Sequence, residues 1–171
     1  MLTFFISAAI VLVLQWLVIS FAAIRALDSS LLASLRLLAD QMLRWVNRCQ
    51  RAVDRASRIH PVSEKFHEFS AACGSTRVEL EKMLTASPLP NYADIMAIGE
   101  LLQAAIANLR EAEIAFVKAL RRIHPTVEPE GQGLSETESI RSRIDATWSD
   151  YIALCEQRES AARRIPIRCL R

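Results

Sequence analysis

The first two dozen residues restrict this chain more than any other segment. Leu2 to Ile24 reads LTFFISAAIVLVLQWLVISFAAI and contains no charged residue. Gln15 is its only strongly polar side chain, joined by the hydroxyls of Thr3, Ser7 and Ser20. Twenty-three residues at about 1.5 Å rise make roughly 35 Å of helix, enough to cross a hydrocarbon core of about 30 Å. A helix satisfies its own backbone in lipid, so the run predicts a transmembrane anchor over residues 1–25. A cleaved signal peptide is the rival reading, with Ser20-Phe21-Ala22 as a small-x-small site. Against it, only Met1 precedes the run, so no basic n-region stands before it, and the run exceeds an h-region of about 7–15 residues.

Charge is unevenly spread. Residues 25–60 carry seven Arg and three Asp, and residues 158–171 carry five Arg and one Glu. Between them, residues 61–157 carry nine Lys or Arg against fifteen Asp or Glu. Basic blocks suit nucleic acid or an anionic membrane surface, and beside an anchor the membrane is the expected partner, with no nucleic acid. Arg25, Arg36, Arg44 and four further Arg follow the run, whereas no Lys or Arg precedes it. The positive-inside bias therefore places the body on the cytoplasmic side of the inner cell membrane.

Only 4 Gly and 6 Pro occur in 171 residues, which disfavours a many-stranded β fold. Neither occurs from Ala26 to Ile59, where Leu31, Leu35, Leu38, Met42, Trp45, Cys49, Ala52, Ala56 and Ile59 alternate spacings of four and three. That is a heptad stripe, broadened by Leu32, Ala39, Val46 and Val53 beyond what a two-stranded coiled coil needs. Pro61 ends this helix and opens a second, with inward Val62, Phe66, Phe69, Cys73, Thr76, Leu80 and Met83, and Gly74 as a weak point. ASPLPN at 86–91 breaks the chain. A third helix over 92–123 carries Ile95, Ile98, Leu102, Ala105, Leu109, Ala112, Phe116, Ala119 and Ile123. HPTVEPEGQGL at 124–134 reads as a loop, and Ser135 with Glu138 forms a capping box for a fourth helix. Its inward residues are Ile140, Ile144, Trp148, Tyr151, Cys155 and Ala162, and Pro166 stops it.

The expected fold is all-α: an N-terminal transmembrane helix continuing into an antiparallel up-down four-helix bundle over residues 26–165, then a basic tail over 166–171. Such a bundle returns its last helix to the bilayer. Arg25, Arg163, Arg164, Arg168 and Arg171 are then candidate membrane-surface contacts, each worth about 1 kcal/mol near an anionic leaflet. Solvated tail charges are the plain alternative.

Chemistry is sparse. Glu64 and His67 have the E-x-x-H spacing of di-metal bundles, but no second such pair exists, so no metal is expected. Cys49, Cys73, Cys155 and Cys169 form no C-x-x-C, and Cys49 and Cys73 fall on core stripes. Acidic residues of the later helices are expected to face the Arg residues of the first. Trp45, Trp148 and Tyr151 read as core, with a ligand pocket between helices as the alternative. No nucleophile motif or phosphate loop appears, so no cofactor and no catalytic residue is expected.

Residues 79–116, with Leu84, Tyr92, Leu102-Gln103, Leu109 and Glu113, resemble the middle of the LemA family. The anchor running into LDSSLLASLRLLAD, and the closing DYIALCEQRESAARRIP, are similar to that family's layout. The family's Tyr-Asn pairs and its Arg-rich entry before Ile-Pro-Asn-Leu-Val are absent, and residues 118–146 have the character of an insertion. The resemblance implies a single-pass membrane protein with a helical-bundle body and no established enzymatic role. The function expected is thus a scaffold or interaction module that meets membrane or cytoplasmic proteins, self-association being open to it. A sensor transmitting through the anchor helix, and an exported domain binding a small ligand, are the alternatives.

Overall fold

A computed structural model describes residues 2–59, 64–85, 91–123 and 134–165, with side chains for 10–56, 58, 67–82, 91–122 and 137–165. Every element among the described residues is a helix: α1 (Leu2–Ile59), α2 (Glu64–Thr85), α3 (Tyr92–Ile123) and α4 (Leu134–Arg163). The fold is therefore all-α with one long apolar N-terminal helix.

α1 runs 58 residues without a break. Nothing in its sequence interrupts the backbone ladder, since it lacks Gly and Pro throughout. Its two halves have opposite surroundings. From Ile10 to Phe21 nearly every side chain is open, with Ile19 69% exposed. From Leu31 onward the heptad stripe is buried, with Leu31, Leu38, Met42 and Trp45 at 0%. The first half is long and apolar enough to cross a membrane by length and composition.

α1 is the helix on which the others pack: it lies against α4, α2 and α3, while α2 also lies against α3. The pairings fix their relative order. Gln41 and Asp28 of α1 meet Thr147 and Arg158 of α4, so falling numbers on one helix meet rising numbers on the other. Gln50 of α1 bonds Ser70 of α2 at 3.1 Å, and Phe69 of α2 stacks on Phe116 of α3 with centroids 4.9 Å apart. Between α3 and α4, side chains make the contact: Met96 meets Tyr151, Arg110 pairs with Asp145, and Glu113 accepts from Thr137.

The α1 stripe is buried as its spacing predicts, together with Ala39, Val46 and Val53; Leu32 is half-buried and Ile59 lies outside the described side chains. Phe69, Cys73, Thr76 and Leu80 are buried on α2, whereas Val62, Phe66 and Met83 lie outside the described side chains. Gly74 does not interrupt α2. On α3 the inward stripe differs from the expected one. Ile98, Ala112 and Ala119 are only half-buried, while Gly99, Ile106, Glu113 and Leu120 are buried. A helix with two helical neighbours and a third across side chains buries more than one row, and the row centred on Gly99 and Glu113 is recognisable only once those neighbours are placed.

α3 is capped by Asn91, whose Oδ1 accepts from the Asp94 amide at 2.9 Å while its own amide donates to Asp94 Oδ2 at 3.2 Å. This reciprocal pair satisfies two amides at a helix start. α4 starts at Leu134, one residue before Ser135, whose side chain lies outside the described set.

Candidate membrane-proximal site

α1 leaves its apolar stretch at Ile24, which is buried, and carries Asp28 one turn later. Arg158 of α4 donates from Nε to Asp28 Oδ1 at 3.1 Å, and both side chains are largely enclosed. The same guanidinium lies 3.7 Å from the centroid of the Tyr92 ring, the first residue of α3. One arginine thus holds three helices together just beyond the apolar run. A charge-assisted hydrogen bond and a cation–π contact share that cation. Tyr92 Oη is buried without a hydrogen bond among the described residues, and burial raises its pKa above the ordinary phenol value.

Beside this clasp, Tyr151 lies across Gly99 of α3. A Cβ at Gly99 would meet Tyr151 Oη in overlap and Cζ at 3.0 Å, so glycine is there to admit the ring. Tyr151 Oη donates to Met96 Sδ at 3.6 Å, and Cys155 Sγ lies 3.9 Å from the same sulfur. Burial raises both the Tyr151 phenol and the Cys155 thiol. The group is a packed plug of polarizable atoms.

The predicted surface arginines distribute around this end. Arg25 is exposed, its guanidinium 5.8 Å from the Phe21 ring centroid. Arg163 and Arg164 are exposed at the end of α4, and Arg163 Nη2 lies 3.5 Å from Glu159 Oε2. Arg163 stands about 7.5 Å beyond Arg158 along the helix. With the order set by the Asp28–Arg158 pair, that brings it beside the last residues of the apolar run. Arg168 and Arg171 lie outside the described residues. A shallow hollow runs along the last turns of α4, lined by Glu156, Gln157 and Ser160 of that helix and by Arg164 just beyond its end, among others.

A second polar group crosses the distal part of the bundle. Glu113 of α3 is buried, accepts from Thr137 Oγ1 at 3.2 Å, and lies 3.7 Å from Arg141 Nη1 of α4. Its Oε2 has no hydrogen bond among the described residues, and neither has the buried Trp45 Nε1. Cys49 of α1 and Cys73 of α2 are free thiols that share a hydrogen bond; this bond first, and burial second, hold the Cys49 thiol far above its ordinary pKa. Every helix contributes a polar side chain to this region.

Acids of the later helices were expected to face the arginines of α1. Interhelical ion pairs among the described residues include Arg110–Asp145 and Arg141–Glu113 between α3 and α4, and Asp28 of α1 with Arg158 of α4. The arginines of α1 that carry described bonds use local partners, such as Asp40 for Arg44 at 2.7 Å. Charge totals indicate attraction between segments but not helix rotation, and the rotation of α1 commits its inward side to apolar residues.

His67 is exposed, and the side chain of Glu64 lies outside the described set. Among the described residues, no group of three His, Cys, Asp or Glu is placed to hold a metal ion. No protein-family model matches this chain, and no curated protein or solved structure matches it either.

Proposed function

We propose that this chain is a single-pass membrane protein whose four helices close into an antiparallel up-and-down bundle, and that it serves as a non-enzymatic scaffold or interaction module. The carrying observation is the unbroken α1, whose lower half is apolar and open and whose upper half is the spine of the bundle core. An apolar run left open over three helical turns has no place in water, and lipid is the solvent that suits it. The likeness of residues 79–116 to the LemA family supports the same reading.

The body lies on the cytoplasmic side of the inner membrane, following the arginines after the run. Arg25, Arg163 and Arg164, and with them Arg168 and Arg171 of the tail, contact the anionic leaflet, so the bilayer touches the protein at the anchor and again at the end of α4. Partners are the bilayer and other membrane or cytoplasmic proteins.

Alkaline carbonate washing of native membranes, followed by cross-linking and identification of captured proteins, tests this reading. The protein should stay with the membrane pellet and yield the same partners when single exposed polar residues are changed to Ala. Release into the wash would contradict the anchor; loss of an activity on one such change would contradict the scaffold.

One observation favours a signalling variant of this reading. The Arg158 clasp ties the ends of α3 and α4 to α1 one turn above the apolar run. A rotation or shift of the anchor then reaches the whole body. Inserting one residue into α1 after Arg25 should abolish a signalling output while leaving partner capture partly intact.

A further inference from the structure

The apolar half of α1 is not uniform around its circumference. Gln15 sits near the middle of the charge-free run, exposed, with no hydrogen bond to any described residue. In water this is of no consequence. In hydrocarbon, an unpaired carboxamide costs several kcal/mol by order of magnitude. Among the described residues no second helix lies beside the span to satisfy it: the described side chains from Ile10 to Ala23 stand open or half-open, and burial on α1 begins at Ile24.

Gln15 also lies on a seam. Leu12, Gln15, Ile19, Ala22, Ala26, Ser29 and Ala33 alternate spacings of three and four, and all are exposed. The stripe begins in the apolar run and continues in phase past Arg25. Beyond Ile19 it carries only Ala and Ser, and it meets no charge before Arg36. It runs along the side of α1 opposite to Ile24, Leu31, Leu35 and Leu38, which face the bundle. A partner seated here therefore does not collide with the body.

Building on the membrane reading above, we propose that two copies of this chain pair in parallel through this α1 seam, with their Gln15 carboxamides hydrogen-bonded to one another inside the bilayer. The occupant is a second copy for two reasons. A carboxamide is both donor and acceptor, so its natural complement is another carboxamide at the same depth. Two copies inserted in the same direction place Gln15 beside Gln15 automatically, and a two-fold axis makes both contacts identical. The Ala and Ser positions let the backbones approach closely, which is how helices associate where apolar burial gives no driving force. Arg36 meets its own copy at the far end, so the helices part there and the two bodies splay outward.

The test uses the full-length chain carrying Cys169→Ser in native membranes, with single cysteines introduced along α1 and mild oxidation. Disulfide-linked dimer should peak at Leu12→Cys, Ile19→Cys and Ala26→Cys, and stay low at Val13→Cys and Leu17→Cys on the opposite side. A flat profile, or maxima on the Val13 side, would overturn the seam. In liposomes, single-molecule photobleaching should count two copies per spot. Gln15→Leu should weaken dimerisation about three- to thirty-fold, whereas Gln15→Asn should keep it. Equal dimer for Gln15→Leu and the natural chain would overturn the role of the carboxamide. Carbonate extraction separates the two levels: a protein that stays in the pellet but bleaches in one step sinks the dimer alone, while a protein that washes off sinks the dimer and the anchor together.

Discussion

Tyr151 lies against the bare backbone of Gly99, where an added Cβ would run into its ring. Glycine inside a helix ordinarily costs about 1 kcal/mol relative to alanine. Here the extra methyl has no room, because Tyr151 is 2% exposed and has nowhere to retreat. Gly99→Ala should therefore lower stability by about 1–3 kcal/mol, the usual cost of overpacking. In a Tyr151→Ala background the same change should be neutral or stabilising. Thermal unfolding of the four combinations in detergent, followed by circular dichroism, checks the sign reversal.

The buried thiols and phenols set a pH response at the same scale. Cys49, Cys155, Tyr92 and Tyr151 all have folded-state pKa values raised above their ordinary ones. Each is an acid kept neutral by the fold, so the unfolded chain releases its proton first. Their stabilising contribution is complete below the unfolded pKa, about 8.5 for a thiol and about 10 for a phenol, and declines as pH rises past it. The melting temperature should thus fall between pH 8 and pH 10.5, and Cys49→Ala should flatten the first part of that fall. A melting temperature constant over this range would refute the assignment of these groups as buried and neutral.

Among the elements, the helices and their breaks were legible in sequence. α3 runs over the 92–123 segment that its Pro-rich entry and Gly- and Pro-containing exit delimit. The α1 stripe was legible because a heptad sustained without Gly or Pro has one reading. The α3 cap was missed although its signal was present, as Asn91 and Asp94 have the spacing of a capping box. The inward row of α3 was misassigned because Ile98 and Gly99 are adjacent, and apolarity alone favours the isoleucine. Glycine is inside because a ring from another helix needs its space. The Asp28–Arg158–Tyr92 clasp could not be read at all: its members are up to 130 residues apart, and only the helix register brings them together. Replacing Arg158 with Ala removes one partner from an enclosed acid and uncovers the Tyr92 ring. A loss of about 1.5–3 kcal/mol follows from the charge-assisted bond. Hydrogen exchange should show the loss concentrated around Asp28 of α1 and at the start of α3; protection unchanged at both places would contradict the clasp.

For the whole molecule, α1 carries the account. It is at once the long apolar N-terminal helix and the bundle spine, and on the membrane reading proposed above it mounts the body on the bilayer as one helix. Hydropathy marks the apolar, open half and heptad phase the buried half, and both halves were visible in the residues. The continuity of the two halves was expected from a stretch with neither Gly nor Pro, and α1 runs as one helix from Leu2 to Ile59. A spin-label scan of the full chain in liposomes, one site at a time from Ile10 to Ala56, tests this most directly. The account predicts oxygen accessibility over residues 10–22, a crossover near Arg25, and a helical-period protection from Leu31 onward in the same phase. Water accessibility along the entire first segment, or a phase break near Arg25, would contradict it.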